Sequence, residues 1–187
     1  MVGYGEKEIT NMERAYWRIN KIRDAAIISL LLGSGLRVGE LTSIRLKDLN
    51  VEERKVMVDR KRNKEDVVFF PKQTQEYLRE YLLNRRLQYK ADESPTAALF
   101  VTKYRGKCNP ISKNTVQKMV MKYAKYYGKE LSAHMLRHSF GTFLYNKTGN
   151  IRGVQKALGH SSMETSQIYT HMFEDDEIRL IDEAFDE

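Results

Sequence analysis

Ser132-Ala133-His134-Met135-Leu136-Arg137-His138, followed by Ala157-Leu158-Gly159-His160 and then Gln167-Ile168-Tyr169-Thr170-His171, holds all four histidines of a 187-residue chain. Ser132 reads as the cap of a helix from Ala133 to about Tyr145, since a serine hydroxyl can accept from the unpaired N–H groups of a first turn. On that helix His134, Arg137 and Gly141 make one stripe, while Leu136, Phe140, Phe143 and Leu144 make a second, inward one. Asn150 and Gly159 bracket another short helix, and Ser161 or Ser162 starts the one that carries Tyr169. A glycine after a helix lets the chain turn sharply, which sets His160 at a helix end with a donor nitrogen facing outward. The pattern is helical, and its polar residues come as an ordered set.

Working back along the chain, Ser112 predicts the start of a helix to about Tyr127, closed by Gly128, with Val116, Met119, Val120, Tyr123 and Ala124 on its core face. Lys72 to Lys90 reads as a long amphipathic helix with Tyr77, Leu78, Tyr81 and Leu82 inward and Arg79, Arg85 and Arg86 outward. Lys55 to Asp59 and Val67 to Phe70 read as strands around Arg60-Lys61-Arg62-Asn63-Lys64-Glu65, a β-hairpin with a strongly basic tip. Ala97 to Val101 is a short extended piece, and Gly106 to Pro110 a loop. Nearer the start, Glu13 to Asn20 and Ile22 to Leu32 are helical, the second apolar nearly all round, and Gly33-Ser34-Gly35 stops it. Leu36 opens a short helix anchored by Leu36, Leu41 and Ile44, on which Arg37 and Glu40 are three apart and share a side. Residues 1–12 form a flexible start. The fold class expected is α+β, mostly helical, as a single domain over residues 1–187 with a small antiparallel sheet or β-hairpin.

The composition narrows the partners. Hydrophobic residues at 41% and charged residues at 30% describe a globular protein, and no apolar run reaches the ~20 residues a membrane helix needs. Cys108 is the only cysteine, so no internal disulfide can form, and a reducing cytoplasm fits best. The net charge of +7 understates the basic character. Residues 174–187 read as an acidic tail helix with eight acids against Arg179; setting aside that net −7 leaves +14 on residues 1–173. From Ser94 to Lys129 there is no acid, yet Lys103, Arg105, Lys107, Lys113, Lys118, Lys122, Lys125 and Lys129 alternate with Tyr104, Tyr123, Tyr126 and Tyr127. A short lysine run is usually a solvated face; a long acid-free stretch with interleaved aromatics favours a polyanion, with nucleic acid first.

The ordered set suits phosphate chemistry. Arg137 offers a planar fork of donors that can grip a phosphate bidentately at any working pH. His134 can take or give a proton near neutrality. A tyrosine hydroxyl ionises only near pH ~10, so Tyr169 needs adjacent positive charge or a base before it can attack. Arg37, Arg137 and a histidine would supply both, and would stabilise the extra charge of a pentacoordinate phosphate. His134 and His138 at i, i+4 also fit a metal pair, but a third ligand and an HExxH-type glutamate are missing. Gly33-Ser34-Gly35 does not fit a dinucleotide-binding fingerprint, because a helix and not a strand precedes it. Cys108 reads as an ordinary structural or surface thiol.

At Gly35-Leu36-Arg37-Val38-Gly39-Glu40-Leu41, His134-Met135-Leu136-Arg137-His138-Ser139-Phe140, Leu158-Gly159-His160-Ser161-Ser162 and Gln167-Ile168-Tyr169-Thr170-His171, the chain resembles the catalytic domain of the tyrosine recombinase (phage integrase) family. The resemblance implies that Arg37 and Arg137 clamp a scissile DNA phosphate, Glu40 supports Arg37, His134 is the general base, His160 binds phosphate and Tyr169 is the nucleophile. It implies a hairpin lysine as general acid, Lys61 with Lys64 as rival. The basic residues Arg60, Arg62, Lys64, Lys103, Arg105, Lys107, Lys113, Lys118 and Lys122 are then expected to meet DNA. His138 and His171 are left as bystanders. The implied partner is double-stranded DNA, bound by four protomers on two sites, with the tail of residues 174–187 exchanged in trans or folded back on its own domain. No metal and no other cofactor is implied. The separate N-terminal core-binding domain of fuller members is expected to be absent. A type IB topoisomerase and a non-catalytic DNA-binding regulator are the competing readings.

Overall fold

A 24-residue helix, α1 (Asn11–Ser34), opens the chain in a computed structural model that describes residues 11–60 and 64–159. The two helical segments expected here are one continuous helix. Ala26, Ile27, Leu30 and Leu31 on it are fully buried. Gly35 ends the run with φ +64°, its N–H donating to the Leu31 carbonyl at 3.1 Å, a left-handed residue that costs a glycine nothing. The short α2 (Val38–Ser43) follows, with Leu36, Leu41 and Ile44 buried as its apolar spacing requires.

Strands β1 (Leu49–Asn50), β2 (Lys55–Arg60) and β3 (Lys64–Phe69) form an antiparallel sheet in that order. Val56 faces Val68 and Val58 faces Asp66 in its register, so that Val56, Val58 and Val68 sink into the core. Only residues 61–63 lie between β2 and β3. Helix α3 (Lys72–Asn84) runs on into a π-helical turn, Arg85–Tyr89. Here Arg85 departs from the outward position expected of it: it is 1% exposed. Four residues after Tyr81 and seven after Leu78, it stands on the apolar stripe. It donates from Nε to the Leu99 carbonyl at 3.1 Å, from Nη2 to the Ala98 carbonyl at 2.9 Å and from Nη1 to Glu93 Oε1 at 2.6 Å. Buried carbonyls at a chain crossing need donors, and a long arginine can bring three.

A second hairpin replaces the loop expected after Gly106: β4 (Val101–Tyr104) pairs with β5 (Lys107–Pro110), Tyr104 opposite Lys107. Its two turn residues, Arg105 and Gly106, have φ +49° and +77°, the signs a primed two-residue turn demands. Helix α4 (Lys113–Tyr126) is capped by Ser112, whose Oγ accepts from the Thr115 N–H at 3.1 Å, and buries Val116, Met119, Val120 and Ala124. Between α1 and α4 the core is not purely apolar. Asp24 and Arg23, both fully buried, form an ion pair at 2.6 Å, Tyr123 Oη donates to Asp24 Oδ2 at 3.2 Å, and Arg23 Nη1 donates to the Val101 carbonyl at 3.3 Å.

The chain divides into two compact units, Met1–Phe140 and Gly141–Glu187, with α5 (Ala133–Thr148) crossing the division. In the described part of the second unit, Asn150 caps α6 (Ile151–Leu158) by accepting from the Gly153 N–H at 2.9 Å, and Val154 and Leu158 are buried. Gly159 ends α6 with φ +62°, as expected of it. Along α5 the buried row is Ala133, Arg137, Gly141 and Tyr145, with Leu136 beside it. Phe143, expected inward, is 64% exposed, because that i, i+4 row lies on another face of the helix.

Candidate active site

The turn after α1 is where two arginines from distant parts of the chain meet one backbone. Arg137, 5% exposed, donates from Nη1 to the Gly35 carbonyl across 102 residues of sequence. Two residues beyond Gly35, Arg37 stands at the start of α2. Its backbone N–H donates to Glu40 Oε2 at 2.8 Å and its Nη1 donates to Glu40 Oε1 at 2.8 Å. One carboxylate thus holds both the backbone and the side chain of Arg37. Glu40 is buried at 7% exposure, while 39% of the Arg37 side chain stays in solvent, so the cation is braced from inside and presented outward.

His134 lies one helical turn before Arg137 on α5, exposed, with Ser132 capping the helix through the Met135 N–H at 3.3 Å. Its Nε2 is 3.0 Å from Nε2 of His138, the two rings edge to face at 87° with centroids 4.6 Å apart. His138, expected as a bystander, thus lies in direct contact with His134. Burial first, then His134 and Arg137, hold its proton affinity below the ordinary histidine value. The i, i+4 spacing was the available signal, and no third His, Cys, Asp or Glu completes a metal-binding group with the pair among the described residues.

The basic residues divide among several places. Lys113 lies against α2: a Cβ built on Gly39 would be 3.3 Å from its Nζ, so the bare glycine leaves room for that ammonium near Arg37. Lys122 belongs elsewhere, its Nζ 4.9 Å from the Tyr16 ring centroid and 5.9 Å from that of Tyr126. Lys118 is exposed on α4, and Lys103, Arg105 and Lys107 are exposed on the β4–β5 hairpin, where Arg105 covers the Tyr104 ring at 5.3 Å. Arg60 turns inward, its side chain 9% exposed and its Nε 2.9 Å from Asp66 Oδ2. Lys64 begins β3 opposite Arg60. Lys61, Arg62, His160 and Tyr169, with His171 and the tail of residues 174–187, lie outside the described residues. The structure thus ties Arg37 to Glu40, Arg137 to the Gly35 carbonyl beside them and His134 to His138, sets Lys113 against Gly39, and places Lys122 against Tyr16 and Tyr126.

Residues 6–175 match the model of the phage integrase family. The chain is 39% identical over 176 residues to tyrosine recombinase XerS of Streptococcus sanguinis (strain SK36), across 94% of this chain and 49% of that protein. Among solved structures it resembles XerA recombinase with a TM-score of 0.73 and 28% identity, covering 98% of this chain and 65% of that one. It also resembles XerH site-specific recombinase bound to palindromic difH substrate in a post-cleavage complex, with a TM-score of 0.71 and 28% identity over 96% of this chain and 47% of that one. The chain spans about half the length of the curated relatives it matches.

Proposed function

The chain belongs to the phage integrase family, and on that premise we propose that it cuts and rejoins double-stranded DNA at a specific site through a 3′-phosphotyrosyl intermediate. Arg37 and Arg137 bind the non-bridging oxygens of one backbone phosphate. Tyr169 gives its phenolic proton to His134, and its oxygen attacks phosphorus. The bond to the 5′ oxygen breaks, and that oxygen takes a proton from Lys61, or from Lys64 if the hairpin presents it instead. His160 adds a donor to the phosphate. Attack by a 5′ hydroxyl on the phosphotyrosyl bond reverses the step and releases Tyr169, so bond energy is conserved without nucleotide hydrolysis.

The observation that carries this reading is the Arg137 bond to the Gly35 carbonyl, which gathers the second arginine beside the turn from which Glu40 aims the first. Two cations fixed before substrate arrives stabilise developing phosphate charge without reorganising in the reaction. Four protomers on two DNA sites, with residues 174–187 exchanged between them, belong to the same proposal and are read from the size of the DNA complex.

Trapping on nicked DNA tests it. The intact chain is expected to become covalently joined to the strand, shifting in a denaturing gel. Tyr169→Phe should bind DNA with undiminished affinity and form no adduct. An adduct that survives this substitution sinks the nucleophile assignment. A folded wild-type chain that binds DNA and never forms an adduct favours a DNA-binding regulator with the same fold.

A further inference from the structure

We propose that His138 is a positioning residue for His134: its Nε2 accepts a hydrogen bond from the His134 Nε2–H, which leaves His134 Nδ1 as the nitrogen that takes the nucleophile's proton. The inference rests on the reading of His134 as general base. The two rings stand on successive turns of α5 with facing Nε2 atoms 3.0 Å apart. At that separation the facing nitrogens share one hydrogen, because two lone pairs or two N–H groups would repel. Two protonated rings would add two cations beside Arg137 within five residues of one helix, so one ring stays neutral.

His138 is that ring. It is half-buried where His134 is exposed, and the charged neighbours acting on it, His134 and Arg137, both oppose a second positive charge. A neutral His138 can offer its Nε2 lone pair, and a His134 that keeps a lone pair for the nucleophile's proton must be the donor in the shared bond, so the hydrogen belongs to His134. Neutral His134 carries a single N–H, and with that on Nε2 its Nδ1 bears the other lone pair. The proton balance is simple: the Tyr169 O–H bond breaks, a His134 Nδ1–H bond forms, and His138 stays neutral throughout. The resulting imidazolium then donates a charge-assisted bond to His138, stronger than the neutral one it replaces. The arrangement assists the step where charge appears and leaves the resting site little changed.

Proton–nitrogen correlation NMR of the imidazoles, with adduct formation on nicked DNA, tests this on the intact chain. Wild-type His134 is expected to carry its hydrogen on Nε2 at a pH where both rings are neutral. His138→Leu should weaken that preference and slow adduct formation roughly ten- to hundredfold, the worth of a hydrogen bond to a charged group. His138→Gln, which keeps an acceptor oxygen, should recover much of the rate. DNA affinity should hold in both variants. A His134 hydrogen on Nδ1 in the wild type, or a His138→Leu chain with unchanged tautomer and rate, overturns the proposal. A wild-type chain with the expected tautomer and no adduct instead sinks the cleavage reading, and the catalytic part of this proposal with it.

Discussion

Arg37 and Arg137 are the same residue type under different constraint. Arg137 is buried and anchored on a backbone carbonyl; Arg37 is half-open to solvent and held by one carboxylate at two points. The brace on Arg37 has a testable weight. Glu40→Ala removes a buried partner of a cation together with the acceptor for the Arg37 N–H, so the guanidinium loses its fixed aim. Adduct formation on nicked DNA should fall roughly ten- to hundredfold, the worth of a charge-assisted bond. DNA affinity should change far less, because phosphate attraction does not need that aim. Glu40→Gln keeps an acceptor and should lie between the two. Equal adduct rates for Glu40→Ala and wild type, with both chains folded by circular dichroism, would show that Arg37 is held by something other than Glu40.

At the scale of elements, α4 is tied to α1 where Tyr123 donates to one member of a buried ion pair within α1, and the consequence is a stability prediction. Arg23→Met strands the Asp24 carboxylate in the core with Tyr123 as its remaining donor, at a cost of about 3–5 kcal/mol in urea unfolding. Arg23→Met with Asp24→Leu removes both charges and should recover much of that loss. A double variant no more stable than the single one would contradict this account. The helices that bear the site were legible in the chain because each cap is a local device: Ser112, Ser132, Asn150, Gly35 and Gly159 act within four residues of themselves. Arg23, Arg85 and Arg137 were harder to place, because what buries them is a carbonyl or carboxylate supplied by another element. The Gly35 carbonyl that Arg137 binds lies 102 residues away and could not be read at all. The β4–β5 hairpin stayed hidden for another reason: Arg105 takes a positive φ beside Gly106 where Asn or Asp would have signalled the turn. His138 was set aside because its contact with His134 rests on a distance, 3.0 Å, that spacing only permits.

For the whole molecule, the opposing charges matter more than their net of +7: +14 on residues 1–173 is set against −7 on the last fourteen. If the chain works on DNA, its affinity should fall steeply with salt, since each lysine or arginine that meets a phosphate releases a counterion. The β4–β5 hairpin is the place to measure this, because Lys103, Arg105 and Lys107 are exposed there and stand apart from the arginine turn in sequence and in role. Changing all three to glutamine should weaken DNA binding at every sequence tested. It should also make the slope of log Kd against log salt shallower by roughly 0.9 for each side chain that meets a phosphate. The single-turnover rate of adduct formation at saturating protein should stay near the wild-type value, because none of the three enters the proposed chemistry. Fluorescence anisotropy over a salt series on matched and scrambled duplexes separates the outcomes. An unchanged slope would move the DNA path away from this hairpin, and a loss confined to one sequence would make it a reader of bases.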